Sequence, residues 1–365
     1  MLISCSAVSA PLREIDFSRN RKLVFNPIWQ ENDIVVMPTE AAHQIVDAAA
    51  RRLVADLEAA REHTGAWADQ PLGYALVESA LSRCLARLAT TGLWGRDNQI
   101  ASSVLWQIAG AMLETGWLQL RAHQKPLGYA GDFELLSRII ENRLCDDPLG
   151  RLFDRYFQNQ AAPSAVRSRT EHAAHALAAL NLSRANDKFH VTSVGAGAGI
   201  DVQRGLELLP HARRKSVKVT LLDLDEQGLD FAVGRVCQAV AEDQVTAVRE
   251  NLFRLGRKPK SAELLGEPDL LICSGLFDYL EDEVAGDLLR LFWQRLADGG
   301  QMLVGNFVPD HPTRAYMEWI GNWYLQYRSF DDMLRLAEIA EIPASCRTIG
   351  ADRIGVDLFL TATKP

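Results

Sequence analysis

The spacing of apolar positions divides the chain in two. Residues 41–60, 74–89, 99–120 and 133–142 carry apolar side chains three and four apart, the period of helices that bury one face, and show little strand signal. Short stretches with Gly and Pro separate them, among them KPLGYAGD at 125–132. From about residue 185 the pattern changes. Apolar or β-branched runs at 191–194, 217–222, 245–248, 270–273 and 302–307 are each followed by a helical period, which implies crossover connections and a parallel sheet. Two further runs, near 345–349 and 356–362, bring the expected strands to seven. Residues 151–182 read as one amphipathic helix leading into the first strand. The expected fold class is therefore α/β: a seven-stranded, mostly parallel, doubly wound sheet preceded by an N-terminal all-helical domain. The boundary falls at 150, with 1–150 as a helical lid or substrate domain and 151–365 as the ligand-binding domain.

A chain of 365 residues is long enough for two domains and a substantial core. The net charge of −8, from 47 acidic and 39 basic residues without a Lys/Arg block, speaks against a nucleic-acid groove. No stretch approaches the length of a membrane span, and the start, MLISCSAVSAPLREIDF, lacks a basic region followed by an apolar one. A cytoplasmic protein without stable membrane insertion is expected, and a homodimer is left open. The six cysteines form no C-x-x-C pair. His172 and His175 lie beside Glu171, yet no third ligand has suitable spacing, so no metal is expected.

The candidate chemistry lies at the strand ends, where open parallel sheets bind ligands. After the first strand comes GAGAG, with Gly195, Gly197 and Gly199 forming a strand-to-helix turn that lets a ligand approach the backbone and a helix N-terminus. The dinucleotide fingerprint would need glycine where Ile200 stands, which weakens a nicotinamide reading. Asp223 ends the second strand, placed to accept the hydroxyls of a ribose, with Leu224 beside it; Asp225 is better explained as a helix cap. Glu250, Asn251 and Leu252 follow the third strand and could meet an adenine, or form an ordinary polar loop. After the fourth, Ser274 leaves room for a reacting group while Phe277 and Tyr279 could wall a pocket.

The order of these elements, with DGG at 298–300 before the fifth strand, resembles class I S-adenosylmethionine-dependent methyltransferases over roughly 165–365. KPLGYAGDFELL (125–136), AAPSAVRSRTEH (161–172), SGLFDYLED (274–282) and NFVPDHPTRAYMEWIGNWYLQYRS (306–329) further resemble the methyltransferases of extracellular-factor biosynthesis, which make hydroxy-fatty-acid methyl esters. The resemblance implies the class I methyltransferase fold, S-adenosyl-L-methionine as cofactor and a small-molecule acceptor. In that frame KPLGYAGD becomes a lid with Tyr129 or Asp132 pointing inward, although a turn whose glycines permit positive φ accounts for its Gly and Pro residues as well. Arg167 or Arg169 could place a guanidinium near the methionyl carboxylate, with solvated helix charge as the bland account. The segment after the fifth strand, from Asn306 through Trp319, Trp323, Tyr327 and Arg328, is where acceptor specificity is expected, although its spacing also suits a helix packed on the sheet.

A carboxylate acceptor, paired with Arg328, would need no general base. An N- or O-methyltransferase of a specialised metabolite would need one, and His123 and His311, near the lid and acceptor segments, are its candidates. A nonenzymatic nucleotide-sensing module is the reading from another class. Transfer of the polyamine-synthase type has little support beyond Asp278 and the acids at 281–283.

Overall fold

In the computed structural model, which describes residues 38–64, 71–185, 188–252, 255 and 259–365, the helical half opens with α1 (Glu40–Thr64) and α2 (Pro71–Ala89). Val46, Leu53 and Leu57 of α1 are buried with Val77, Leu81, Leu85 and Leu88 of α2 and with Leu105, Ala109 and Leu113 of α3 (Gln99–Leu113). The helix expected over 99–120 is two helices, because α3 ends before Gly116 and α4 (Trp117–Gln124) begins anew. The cause is remote. The carboxylate of Asp154 accepts the Leu118 N–H at 3.0 Å and the Cys145 N–H at 2.9 Å, capping the new helix from α6 (Pro148–Gln158). A Cβ at Gly150 of α6 would sit 1.9 Å from the Thr115 carbonyl oxygen, so the crossing admits only glycine.

Between α4 and α5 (Phe133–Ile140) lies the turn 125–132, ended by Asp132, whose side chain accepts the Glu134 and Leu135 amides as the N-cap of α5. The helix expected over 151–182 is likewise two: α6 starts earlier, and α7 (Ala161–Ser183) follows a break at Asn159–Gln160. Gly150, at the expected domain boundary, thus lies inside α6, whose Leu152, Phe153 and Phe157 share the core of the helical half.

The strands are β1 (Phe189–Val194), β2 (Val217–Asp223), β3 (Val245–Arg249), β4 (Leu270–Cys273), β5 (Gln301–Phe307), β6 (Arg347–Ala351) and β7 (Asp357–Thr363). Among the described residues they form one sheet in the order β3-β2-β1-β4-β5-β7-β6, parallel from β3 to β5 and antiparallel at β7. The expected seven-stranded, mostly parallel α/β sheet is the observed one. Between strands run α8 (Ile200–Glu207), α9 (His211–Arg214), α10 (Glu226–Val236), α11 (Asp282–Arg295) and α12 (Phe330–Ile339). β1 and β4 are neighbours although β2 and β3 intervene in sequence, so the strand order reverses between them and a crevice opens at their carboxyl ends.

The chain after β5 leaves the sheet. Its π-helical turn Tyr316–Ile320 enters the helical half, where Ser102 Oγ donates to the Trp319 carbonyl at 2.8 Å and Trp106 Nε1 to that of Ile320 at 3.1 Å. It then returns at Arg328, whose N–H donates to the Phe307 carbonyl. This excursion places helical residues over the crevice. Among the described residues no helix is long and apolar enough to cross a membrane.

Candidate active site

The turn after β1 is fixed by its own backbone. The amides of Gly195 and Ala196 both donate to the Leu222 carbonyl of β2, at 2.9 and 3.0 Å. Gly197 and Gly199 have φ of 50° and 65°, a region that disfavours side chains. Their spaces differ. A Cβ on Gly199 would stand 2.9 Å from that of Ala232 on α10, whereas one on Gly197 would meet nothing within 4 Å, because that residue faces a cavity.

The cavity measures about 530 Å³ and opens over the ends of β1, β2 and β4. Asp223 stands in its wall, 9% exposed, with Oδ2 accepting the Gly197 N–H at 2.9 Å and Oδ1 the Asp225 N–H at 3.1 Å. Burial pushes its carboxyl above the ordinary value, and those amides pull the other way. Each oxygen keeps acceptor capacity for a further donor. Leu224, Asn251 and Leu252 continue the wall, and so does Ser274, whose buried Oγ has no hydrogen-bond partner. Asp225 caps α10 through the Gln227 N–H, as the sequence suggests. Glu250 is not in the described wall; its side chain accepts the amide of Asn251.

At the other end the wall is apolar and aromatic, with Leu136, Ile140, Val166, Leu325, Tyr129, Tyr279, Phe307 and Trp323. Three segments meet at one hydroxyl: Tyr279 donates to the Ala130 carbonyl at 2.9 Å and accepts from Trp323 Nε1 at 2.8 Å. Gly131, at φ 75°, is required here, since a Cβ would lie 2.7 Å from that hydroxyl. Tyr129 closes the same side, its hydroxyl 3.4 Å from Asp225 Oδ2. Burial and the aspartates around it raise the phenol far above its usual range, and the ring stands in the cavity wall.

Arg169, rather than Arg167, reaches the cavity. The Arg167 guanidinium is turned to α6, donating to Gln158 Oε1 and O and to the Ile139 carbonyl. Two residues further along α7 the side chain points to the other side. Arg169 lies 3.3 Å from Asp278 Oδ2 and 3.6 Å from Asp357 Oδ2, and a Cβ on Gly275 would come within 2.8 Å of its Nη2. The small residues after β4 make room for a guanidinium.

Other expected site residues are elsewhere. His123 stacks on Trp106 at 3.8 Å, and His311 packs against Phe307 and Tyr327; neither is in the described wall. Burial lowers both imidazoles to about 4. Phe277 is in the sheet core beside Phe292, and Trp319 is fully buried in the helical half. Tyr327 sits behind the wall under Arg314. Asn306 and Arg328 bind each other at 2.7 Å, and Arg328 also donates to the carbonyls of Phe277 and Leu280 and to Asp282. Its guanidinium is consumed by structure and cannot meet a ligand carboxylate. Asp201 is a charged wall residue that the sequence reading passes over, and Asp278, weighed there only for polyamine-type transfer, is in the wall as well.

No family model matches the chain, and no curated protein does. Solved structures do. A possible exported protein from Bordetella parapertussis is 18% identical, over 90% of this chain and all of that one, with a TM-score of 0.53. Magnesium protoporphyrin IX methyltransferase from Synechocystis PCC 6803 with bound SAM is 14% identical over 56% of this chain and 83% of its own, at 0.39. The pyocyanin biosynthetic protein PhzM is 16% identical over 89% and 96%, at 0.42. The likeness to the first is one of fold. The sheet, with its reversal at β1 and β4 and its antiparallel β7, agrees with the seven-stranded, mostly parallel sheet that the sequence resemblance implies.

Proposed function

We propose that the chain is an S-adenosylmethionine-dependent methyltransferase acting on a small, largely apolar acceptor. The observation that carries this reading is the joint between Asp223 and Gly197: a buried carboxylate at the end of β2, held by a glycine amide of the β1 turn, with acceptor capacity left over and open space beside it.

The residues fit the donor at each point. Asp223 would take the ribose hydroxyls, Leu224, Asn251 and Leu252 the adenine, and the 195–199 backbone the methionyl part, with the unpartnered Ser274 Oγ close by. When bound, S-adenosylmethionine supplies an electrophilic methyl group on a positively charged sulfur. The protein supplies position. The apolar wall excludes water, the faces of Tyr129, Tyr279, Phe307 and Trp323 suit both a cation and a flat acceptor, and alignment alone is worth up to about 7–11 kcal/mol in favourable cases.

The acceptor end bears on the substrate. A methyl-ester product would call for a cation to hold the acceptor carboxylate. Arg328 is engaged elsewhere, and Arg169, the cation of the described wall, faces Asp278 and Asp357. An uncharged acceptor needs no such partner, so it is the better fit to this wall. A cytoplasmic location is part of the same reading, with Cys84, Cys145, Cys237, Cys273 and Cys346 as free thiols.

Calorimetry of the pure chain with S-adenosylmethionine and with its demethylated product tests the donor. Incubation of a cell extract with labelled donor and the chain, read by mass spectrometry, tests the acceptor. Label found in protein alone, with no small product, would remove the small-molecule reading.

A further inference from the structure

Arg169 is 7% exposed, Asp278 2% and Asp357 fully buried, so the cluster is out of bulk water; Arg169 and Asp278 line the cavity and Asp357 lies next to Arg169. One guanidinium faces two carboxylates. Asp278 Oδ1 also accepts the Phe307 N–H at 2.8 Å, but neither oxygen of Asp357 has a hydrogen-bond partner. Among the described residues, the surrounding groups do not supply a second free cation. Arg328 is tied to Asp282, Asn306 and two carbonyls, and Asp352 adds a carboxylate beside Asp357, where it accepts the Val356 and Asp357 amides. Cys273, Tyr279 and Tyr327 are held neutral by burial, and Asp201 is a further acid of the cavity wall.

With both aspartates ionised the cluster carries a surplus negative charge in a region of low polarity, an arrangement that is costly unless a proton or another cation joins it. Burial raises Asp278 and, further, Asp357, against the pull of Arg169. A proton shared by the pair would relieve this charge, and a cationic ligand beside it would displace that proton.

We propose that Asp278 and Asp357, divided over Arg169, form a proton-exchanging pair that distinguishes the sulfonium donor from its neutral thioether product and receives the acceptor's proton. This rests on the methyl-transfer reading above. The donor and its product differ in the methyl group and the positive charge on sulfur, so only the donor favours the deprotonated pair. During transfer, an N–H or O–H bond of the acceptor breaks and its proton passes to the pair. The freed electron pair forms the new bond to the methyl carbon, and the electrons of the broken carbon–sulfur bond stay on sulfur. One buried positive charge is replaced by another. The acceptor class that closes this balance is a neutral molecule with an ionisable hydroxyl or N–H.

The test is ligand affinity, measured on the intact chain by calorimetry from about pH 5.5 to about pH 8.5, where one linked proton changes affinity by about tenfold per pH unit below its titration. S-adenosylmethionine is expected to bind more tightly as pH rises and then level off, with proton release, while S-adenosylhomocysteine stays flat. Asp357→Asn, which keeps the shape and leaves Arg169 balanced by Asp278 alone, is expected to make the ratio of the two affinities independent of pH. Parallel pH curves for the two ligands in the unaltered protein would overturn the pair's role, as would an Asp357→Asn ratio that still follows the wild-type pH curve. If neither ligand binds, the donor reading itself is lost and the pair's role with it.

Discussion

At the end of the cavity proposed to hold the donor, the wall comes mostly from residues within a few positions of a strand terminus: Gly195 to Gly199 after β1, Asp223 and Leu224 at β2, Asn251 and Leu252 after β3, Ser274 after β4. The acceptor end is assembled from far-apart segments. Tyr129 and Gly131 precede α5, Arg169 is on α7, Asp278 and Tyr279 follow β4, and Trp323 lies on the excursion after β5, with Asp357 of β7 next to Arg169. A strand end fixes the direction of its next residues through the ladder. Much of the acceptor end lies outside that frame, and its geometry depends on buried polar contacts such as the Tyr279 hydroxyl between Ala130 and Trp323. The difference predicts that substitutions at the donor end act on ligand affinity, and those behind the acceptor end on the fold.

The largest test is Arg328→Ala. It would leave the Phe277 and Leu280 carbonyls and Asn306 Oδ1 without their donor in a buried place. The expected loss is about 3–5 kcal/mol of stability, read from the denaturant midpoint. Donor affinity of the folded fraction should stay near wild type. A variant of normal stability with altered acceptor choice would return Arg328 to the acceptor site and break the contrast.

Next comes Asp223→Ala, which should weaken donor binding by about two orders of magnitude, equivalent to about 3 kcal/mol from two charge-assisted hydrogen bonds. Asp225→Ala, two residues away, should instead cost about 1 kcal/mol of stability through the lost α10 cap and leave affinity nearly unchanged. Equal effects of the two on affinity would show that the strand end does not set which carboxylate faces the ligand.

The same contrast explains what could be read from sequence. Strands, the glycine turn and Asp223 are legible because period and local order determine them. The break at Gly116 is not, since it depends on Asp154 reaching the Leu118 amide from another helix. Arg167 and Arg169 are both on α7 and two apart, so they point differently, and only the packing of that helix decides which meets the cavity. His123 and His311 are close in sequence to the expected segments, but His123 stacks on Trp106 and His311 packs edge-on with Phe307. Sequence distance carries no information about direction there.

Asp357→Asn also sharpens the comparison through stability. A carboxyl whose titration is raised by folding contributes stability that is present below its unfolded value and lost as pH rises through its folded value. Removing the charge should therefore raise the melting temperature at neutral and alkaline pH, by the equivalent of roughly 1 kcal/mol, and change little in acid. A gain independent of pH would mean that packing, and not the buried charge, was relieved.

The smallest expected effect is that of Tyr129→Phe. Its hydroxyl is 3.4 Å from Asp225 Oδ2, long for an O–H donor, and an i-to-wall contact of this kind should be worth less than about 0.5 kcal/mol. The ring, by contrast, closes the cavity between the turn 125–132 and α10. Donor affinity and turnover should thus stay within about twofold for Tyr129→Phe, while Tyr129→Ala should lose much more by admitting water. If Tyr129→Phe abolished turnover with donor affinity intact, the hydroxyl would have a chemical part in the reaction, and the acceptor end would owe more to a single polar atom than its aromatic wall implies.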